Sequence, residues 1–548
     1  MIERLKNIEA NFSITKAAAI VGLFTLLSRA VGYLRDMLFA SRLGPGDILD
    51  TYYAAFRIPD FVFNLLILGT LSVAFIPVFT EVLITDKQRA RNIANTILNV
   101  SVLVMSSLCL ILIIFAEPLT RLIVPGFSGA KFHDTVLLTR IFLISPVIFT
   151  SSNVFSSILN AHKKFLLVSL APILYNLGII GGLLILYPRY GIVGWGFGVI
   201  AGALMHMLIQ IPSAVGHGFS WKPVIDLKDE AVRKIGKLFV PRIFGLDVSN
   251  ISLLIATIIG STLASGSISI FNLANNLQAV PLGVFAFSIA VASFPAFSES
   301  FARRDNKGFV QILSKTINQI LFFLIPISIL MLLFRAYIVR LGFGRGQFDW
   351  ADTILTFTTL GVFSVSLFSQ ALTPLLARAF YARQNTKTPV IINAFTMAIN
   401  AVLAVVLSKK FGVVGLAAAF SAASIFNALA LFILLRLNLG QDMEKTGTSS
   451  LGEFDKELFN GISKIVLASV VMGLISYGGV YAFAPLVNTR TALGILIQST
   501  LSVFAGVAAF LWMSSLLHLD GAKDFTRIFK RFFHLSAPAA VNSTKDGQ

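Results

Sequence analysis

The sequence predicts an all-α polytopic membrane protein with about fourteen transmembrane helices, arranged as two parallel six-helix lobes followed by a C-terminal helix pair. Three observations predict this fold: the composition, the length of the apolar runs and an internal repeat. The chain has 548 residues, of which 56% are hydrophobic and 13% charged, whereas soluble domains average roughly 45–50% apolar and 25% charged residues. The mean hydropathy is +0.82. A soluble globular protein is therefore excluded.

The predicted spans are apolar runs of about 20 residues, each long enough to cross ~30 Å of hydrocarbon. They lie at 17–40, 50–80, 93–116, 135–159, 165–187, 192–213, 236–263, 268–298, 311–334, 352–380, 389–408, 412–435, 463–485 and 491–517. Pro59 and Pro77 fall inside one span, and Pro281 and Pro295 fall inside another. Because proline removes a helical hydrogen bond, we expect kinks or tilt in these two spans.

An internal repeat appears when the chain is compared with itself at an offset of about 220 residues. The matching pairs are Ile76–Glu81 with Phe294–Glu299, Tyr190–Gly194 with Phe411–Gly415 and, more weakly, Ser28–Gly32 with Pro241–Gly245. Each repeat holds six spans. Because six is even, the two halves share one orientation and are related by an axis along the membrane normal. The last two spans lie outside the repeat.

This arrangement predicts a sequence of domains and connecting segments. They are an N-terminal cytoplasmic segment (1–16), an N-lobe (17–213), a connector (214–235), a C-lobe (236–436), a polar linker (437–462), the extra helix pair (463–517) and a basic tail (518–548). An ordinary cytoplasmic loop is the favoured interpretation of this linker. In Lys523–Leu535, four apolar residues share one helical face among basic residues: Phe525, Ile528, Phe529 and Phe532. This pattern is typical of a helix on an anionic membrane surface.

The net charge of +18 would suggest a nucleic-acid partner in a soluble protein. Here 27 of the 44 Lys and Arg side chains fall on one side of the predicted spans and 10 on the other. Since cytoplasmic loops retain basic residues, this asymmetry predicts that both termini are cytoplasmic and that no nucleic acid is bound. Cys109 is the only cysteine, which excludes an intrachain disulfide and predicts a packing role.

Ionisable residues inside the spans are the candidate functional groups, because a charge in hydrocarbon normally faces a cavity or a partner. They are Arg29, Arg35 and Asp36 in the first span, Asp50, Arg57 and Asp60 near the second, and Lys237, Arg242 and Asp247 in the seventh. Two interpretations remain open. The first is internal ion pairing, of Arg35 with Asp36 or Asp50 and of Arg242 with Asp247. The second is a cavity whose guanidinium groups bind an anion such as phosphate.

Other motifs carry less information. His206 is predicted to be a hydrogen-bonded packing residue rather than a proton relay, and Gly342–Gly346 a turn rather than a phosphate loop. The sequence contains no recognisable Ser/His/Asp set, paired catalytic carboxylates or metal-spaced histidines. We therefore expect neither an enzyme nor a cofactor.

Several segments resemble the lipid II flippase (MurJ/MviN) family of the multidrug/oligosaccharidyl-lipid/polysaccharide exporter superfamily. They are LLSRAVGYLRDMLFASRLG (26–44), DTYYAAFRIPD (50–60), SVAFIPVF (72–79), ILNAHKKF (158–165), LAPILYN (170–176), LASGSIS (263–269) and FYARQNTKTPV (380–390). Together they run through both predicted lobes. The patterns Ser-Arg-x-x-Gly-x-x-Arg-Asp and Tyr-x-Arg-Gln-x-x-Lys-Thr-Pro are rather specific to this family.

The resemblance implies transport of undecaprenyl-diphosphate-linked disaccharide-pentapeptide from the inner to the outer leaflet of the bacterial cytoplasmic membrane, for peptidoglycan synthesis. Membrane lipids and other cell-wall synthesis proteins are the further partners expected. By resemblance, Arg29 and Arg35 match essential arginines and Asp50 an acidic position, while the extra helix pair would guide the polyprenyl tail. The chain departs from the family at two places. It has Leu68-Gly69 where the family usually has an acidic residue followed by glycine, and Asn275-Asn276 where the family has Asp-Arg.

Our leading hypothesis from the sequence is a lipid II flippase that works by alternating access. Arg29 and Arg35 would attract the diphosphate and Asp50 would orient them. Arg57 and Arg242 would complete the substrate site, with Lys237 or Arg242 replacing the missing arginine and Asn276 contacting the headgroup. Membrane potential or a monovalent cation gradient would drive transport. The alternatives are a cation-coupled drug exporter with Asp36 or Asp247 as proton carrier, a flippase for another polyprenyl-linked glycan, and a non-transporting scaffold.

Overall fold

The computed structural model describes residues 14–66, 71–243, 248–445, 452–489, 491–519 and 521. Throughout these residues the chain is helical and contains no β-strand, so the predicted all-α class is confirmed. Asp247, Leu68-Gly69 and the segment Lys523–Leu535 lie outside the described residues, and the expectations for them stay predictions.

Twenty α-helices are described, and we number them in chain order. The first ten are α1 (Ile14–Leu43), α2 (Asp47–Ala55), α3 (Arg57–Leu66), α4 (Leu71–Thr85), α5 (Lys87–Ile114), α6 (Ala116–Ile123), α7 (Gly129–Phe142), α8 (Ser145–Ala161), α9 (Leu166–Gly181) and α10 (Tyr187–Leu208). The others are α11 (Ile211–Gly216), α12 (Glu230–Ile243), α13 (Val248–Gly260), α14 (Ser267–Pro281), α15 (Phe287–Ala302), α16 (Asn306–Gly342), α17 (Trp350–Ala382), α18 (Lys387–Lys445), α19 (Gly452–Phe483) and α20 (Ala492–Leu516).

Within the described residues, nine helical stretches are long and apolar enough to cross a membrane. Two of them, Leu166–Gly216 and Lys387–Met443, each contain two of the predicted spans. The predicted spans outside the nine are 17–40, 50–80 and 236–263. The chain is therefore a multi-pass membrane protein, and the number fourteen stays a prediction.

The predicted irregularity of the proline-containing spans has a local basis in the structure. The single span expected at 50–80 contains three helices, α2, α3 and α4. The span at 268–298 is interrupted by a π-helical turn, Leu282–Ala286, directly after Pro281. Because proline cannot donate the next hydrogen bond, a widened turn is a common accommodation.

The internal repeat is visible in the local backbone geometry. Gly191 has φ 59° and ψ −146° inside α10, and Gly412 has φ 57° and ψ −135° inside α18. A Cβ on Gly194 would lie 2.4 Å from the carbonyl oxygen of Leu186, and a Cβ on Gly415 would lie 2.2 Å from that of Leu407. The matching glycines therefore make matching bends, since only glycine adopts this backbone conformation at no cost.

Close glycine contacts join α9, with the π turn that follows it, to α10. A Cβ added to Gly178 would lie 2.2 Å from Cα of Gly202, and one added to Gly198 would lie 2.3 Å from Cα of Gly182. Along the chain, Gly178 and Gly182, and likewise Gly198 and Gly202, have the Gly-x-x-x-Gly spacing that lets membrane helices approach closely. Small residues thus set the distance between these helices.

The chain folds into two compact units. The first comprises residues 1–277, 342–359 and 393–423, and the second comprises residues 278–341, 360–392 and 424–548. In the first unit, Phe75, Ile93, Phe155 and Ile235 belong to one buried core cluster. The predicted division into lobes and connectors stays a prediction.

The second unit contains the extra helix pair, α19 and α20. The side-chain amide of Gln498 donates to the carbonyl oxygen of Val480 at 2.7 Å, and a Cβ added to Gly506 would overlap Oγ of Ser476. Helix α18 continues to Lys445, and α19 begins at Gly452. The predicted polar linker is therefore largely helical, and an ion pair between Arg436 and Asp455 joins its two helices.

Candidate functional site

A largely enclosed ion pair of the first unit joins Arg35 and Asp36 on α1. Nη2 of Arg35 lies 2.9 Å from Oδ1 of Asp36, and the side chains are 22% and 5% exposed. Asn176 on α9 accepts from Nη1 of Arg35 at 3.1 Å, and Asn276 on α14 donates to Oδ2 of Asp36 at 2.9 Å. The ion pair therefore links α1 to one helix of the first half and one of the second.

A second arginine, Arg57, lies at the start of α3. Its Nε donates to Oγ1 of Thr257 at 2.7 Å, and its Nη2 donates to Oδ1 of Asn272 at 2.6 Å. The partners lie on α13 and α14. Unlike Arg35, this guanidinium is held by neutral oxygens, so its positive charge is not cancelled by the groups that bind it.

The two arginines share an electrostatic environment. Asp60, one turn after Arg57, interacts with the charges of Arg57 and Arg35, and its side chain is exposed. The phenol of Tyr53 interacts with the charges of both arginines and Asp36. Its hydroxyl oxygen is buried without a hydrogen-bond partner in the described part of the chain. A buried hydroxyl in this state offers a hydrogen bond to a bound ligand or water.

Asp50 does not orient Arg35, which corrects one expectation from the sequence. Its carboxylate accepts from Nζ of Lys131 at 3.1 Å, from the backbone N–H of Gly266 at 2.8 Å and from both N–H and Oγ of Ser269. Arg35 is paired with Asp36 instead. The Asp50 side chain is 2% exposed, so it forms a buried clamp that ties α2 to α7 and to the N-terminus of α14, where a negative charge is favoured.

Asp47 is the exposed neighbour of this clamp. It accepts from Nζ of Lys131 at 2.7 Å and from Oγ of Ser265 at 2.6 Å, while its side chain is 62% exposed. The hydrogen bonds from Lys131 and then Ser265 lower the pKa of Asp47, because they stabilise its charged form. Lys131 thus binds one buried and one exposed carboxylate.

The remaining predicted site residues are distributed differently. Arg29 is half-buried on α1, six residues and about 9 Å of helix rise before Arg35. Lys237 is exposed on α12. The side chain of Arg242 lies outside the described part of the structure, so its contribution stays a prediction, as does replacement of the missing cation by Lys237 or Arg242.

A buried aromatic group holds α1 and α2 in place. The ring of Tyr52 stacks on Trp195 with centroids 3.9 Å apart, and Phe39 meets both rings edge to face. Arg35 lies over the Phe39 ring at 5.5 Å. The Arg35 guanidinium therefore packs against a buried aromatic group on one side.

Three weaker expectations are confirmed. Nδ1 of His206 lies 2.7 Å from Oγ of Ser152, and its ring packs against Phe149, which supports the packing role. Cys109 is buried. Gly342–Gly346 forms a turn, in which Gly346 has φ 66° and the added Cβ would overlap the carbonyl oxygen of Ser41.

Sequence reasoning missed Lys131, Asn176, Thr257 and Asn272. Lys131 lies before the predicted span at 135–159, and the other three are ordinary polar residues of apolar helices. Their one available signal was the cost of placing polar groups in hydrocarbon. The described residues contain no group of three or more His, Cys, Asp or Glu side chains placed to hold a metal ion.

Comparison with known proteins now identifies the family. The family model described as "Lipid II flippase MurJ" matches residues 39–501. A probable lipid II flippase MurJ of Vibrio cholerae is 31% identical over 434 residues, covering 77% of this chain and 83% of the relative. One from Haemophilus influenzae is 29% identical over 483 residues, covering 85% and 91%.

Solved structures agree with this result. The structure titled "Lipid II flippase MurJ, inward closed conformation" has a TM-score of 0.72 and 25% identity, covering 92% of this chain and 99% of that one. An inward-facing multidrug resistance transporter of the MATE family has a TM-score of 0.65 at 16% identity, with 76% and 96% coverage, and shows the fold alone. The chain belongs to the lipid II flippase MurJ family.

Proposed function

We propose that this protein flips lipid II, the undecaprenyl-diphosphate-linked disaccharide-pentapeptide, from the inner to the outer leaflet of the bacterial cytoplasmic membrane by alternating access. Its membership of the family supports this proposal, and the arginine site of the first unit supplies the chemistry. Arg57 is the observation that carries it. This guanidinium is positioned by two neutral oxygens. Asp60 interacts with its charge, but neither of its hydrogen-bonding partners is a carboxylate that an anionic group would have to displace.

The diphosphate is the part of lipid II that fits these residues. Two fixed guanidinium groups recognise phosphate oxygens through short, charge-assisted hydrogen bonds. Arg35 is held by Asp36, so a diphosphate would compete with this carboxylate for the same donors. Such competition keeps binding reversible, since a carrier must release its substrate on the far side.

The roles of the other residues follow from their contacts. Asn276 donates to Asp36 and would turn towards the headgroup when the diphosphate takes Arg35. Arg29 would extend the cationic surface along α1, and Arg242 would add to it from α12. We assign Asp50 to the clamp rather than to the substrate.

The driving force that we propose is membrane potential or a monovalent cation gradient. Moving one charge through about 100 mV changes the free energy by ~2.3 kcal/mol, so movement of a charged site across the membrane would be sensitive to the potential. The basic loops support a topology in which both termini are cytoplasmic. Other cell-wall synthesis proteins would act before and after the transport step.

The test is complementation of a strain depleted of its own flippase, with lipid II measured separately in each leaflet. Arg57→Ala and Arg35→Ala should each abolish the appearance of lipid II in the outer leaflet. Arg140→Ala is the matched control, because Arg140 is an exposed arginine on α7, and it should complement fully. Normal flipping by Arg57→Ala at wild-type protein abundance would refute the proposed site.

The assay also separates the rival functions. A drug exporter predicts normal lipid II distribution and raised drug sensitivity after depletion. A flippase for another polyprenyl-linked glycan predicts normal lipid II together with loss of a surface polymer. Accumulation of lipid II in the inner leaflet, restored by the wild-type chain, distinguishes our proposal from both.

A further inference from the structure

A basic cavity lies in the first unit, away from the arginine site. It has a volume of about 350 Å³, and its lining includes Lys87, Arg91, His162 and His217. Of the described residues that line it, none is acidic. Phe79 and Leu83 form its apolar wall. A cavity that gathers two cations and two imidazoles has the composition of an anion site.

The acidic residues of the adjoining helices are engaged elsewhere. Asp86 accepts from the backbone N–H groups of Gln88 and Arg89 as the N-cap of α5. Glu81 pairs with Lys234 at 2.9 Å, and Asp229 pairs with Arg89 at 2.8 Å. The cationic character of the cavity is therefore not cancelled by these three carboxylates.

The cavity has built-in geometry. Gly218 has φ 92°, and a Cβ there would lie 3.0 Å from Nη2 of Arg91, so the guanidinium rests against the turn that follows α11. The Nδ1 atoms of His162 and His217 lie 2.9 and 2.8 Å from the carbonyl oxygens of Ile158 and Ser213. Because a carbonyl only accepts, Nδ1 is the donor in each ring. Nε2 is the nitrogen left for a ligand, and it donates to an anion when the ring is in its imidazolium form.

The second half of the repeat contains a larger cavity, of about 710 Å³, whose lining includes an acidic residue. Lys163 and Gln384 both have φ 59°, and the N–H groups of Lys164 and Asn385 bond the carbonyl five residues earlier in each case. The pattern places Arg383 at the position of His162. The second cavity is lined by Asp442, and this carboxylate pairs with Arg383.

The comparison indicates what the first cavity lacks. In the second half, an acidic side chain of the protein itself satisfies the basic group at this position. In the first half, the equivalent basic groups have no carboxylate in the cavity lining. A bound anion would therefore occupy the role that Asp442 has in the second half.

The position of the cavity relative to the membrane favours a phosphate. Three stretches long enough to cross a membrane end beside it: one begins at Lys87, one ends at Ala161 and one ends at Gly216. Their shared end places the cavity at the level where hydrocarbon meets water. Phosphate groups of lipids and of soluble metabolites are both found at that level.

We propose that this cavity, formed by Lys87, Arg91, His162 and His217, binds a phosphate-bearing anion at the membrane interface. The anion is either the headgroup of an acidic lipid or a soluble phosphate compound. The site is separate from the arginines of the proposed transport site, so it would anchor or regulate the protein rather than carry the transported group.

The experiment measures binding to the purified full-length protein with two probes. Vesicles of phosphatidylglycerol, compared with phosphatidylcholine, test the lipid source, and inorganic pyrophosphate tests the soluble source. For the probe that the wild type binds, Lys87→Gln/Arg91→Gln should lower the affinity by about 30-fold. Each basic residue near an anionic surface contributes roughly a factor of five to the affinity. Lys222→Gln/Lys228→Gln is the matched control, because it removes two exposed cations outside the lining.

A second variant tests the comparison with the other half. His217→Asp puts a carboxylate beside His162, as Asp442 lies beside Arg383, and should abolish binding of the same probe. Thermal unfolding without either probe checks that each variant is folded, and a variant that is not folded leaves the decision to the other. Equal binding by wild type and folded variants, or no binding of either probe by wild type, would overturn the proposal.

Discussion

The buried clamp around Asp50 makes a prediction that separates a structural role from a substrate role. In Asp50→Ala, the ammonium of Lys131 and two backbone N–H groups, those of Gly266 and Ser269, would lose their buried acceptor. Removing one partner of a buried ion pair costs about 3–5 kcal/mol. We therefore expect Asp50→Ala to lower the free energy of unfolding by about 4 kcal/mol.

The magnitude can be converted into a melting temperature. The first unit has roughly 330 residues, and unfolding entropy is about 2.1 cal/mol/K per residue. A loss of about 4 kcal/mol should then lower the midpoint by roughly 6 °C. Asp47→Ala is the matched control, because this carboxylate binds the same lysine but is 62% exposed, and an exposed pair is worth about 1 kcal/mol or less.

The assay is thermal unfolding of purified protein in detergent, with lipid II flipping measured per folded molecule. We expect Asp50→Ala to melt early and to keep substantial flipping at a temperature where it is folded. An unchanged melting temperature combined with complete loss of flipping would refute the clamp and return Asp50 to the substrate site.

Two further predictions concern packing and pH. Gly198→Leu should prevent folding, because its Cβ would overlap Gly182. The control Gly181→Leu should fold, since no atom lies within 4 Å of the added Cβ. Size-exclusion chromatography distinguishes the two outcomes, because only folded protein elutes as a monodisperse peak. The Arg89 guanidinium lowers the pKa of Asp229, which also caps α12 by accepting from Ala231 N–H. The stabilisation is therefore present above pH ~4 and lost as the pH falls further. Asp229→Asn keeps a capping oxygen but loses the ion pair with Arg89, so it should cost about 1 kcal/mol or less at pH 7 and less still at pH 3. An equal cost at both pH values would contradict this.

Much of the fold could be predicted because hydrophobicity acts locally. A run such as 93–116 must cross the membrane wherever its neighbours lie, and the α5 helix and its candidate span agree with it. The bends at Gly191 and Gly412 were likewise present in the sequence as a repeated motif. The break between α2, which ends at Ala55, and α3, which begins at Arg57, was less predictable, because polar and apolar residues are mixed there.

The candidate site was predicted only in part, because pairing depends on residues distant in sequence. Arg35 had two carboxylates within reach by sequence, Asp36 and Asp50, and the order of residues could not choose between them. The choice depends on Lys131, 81 residues after Asp50, which occupies the Asp50 carboxylate.

The sequence by itself determined that this protein is a helical membrane protein with a repeated architecture and a family resemblance to lipid II flippases, because span length, charge placement and motif spacing are all properties of local segments. Only the folded chain reveals that the Asp50 carboxylate binds Lys131, Gly266 and Ser269. It also reveals that Arg57 is held by neutral oxygens, and that none of the described residues lining the basic cavity near His162 is acidic. The physical reason is that the energy of a charge in a low-dielectric interior depends mainly on the groups within a few ångströms of it. Folding brings those groups together from distant parts of the chain.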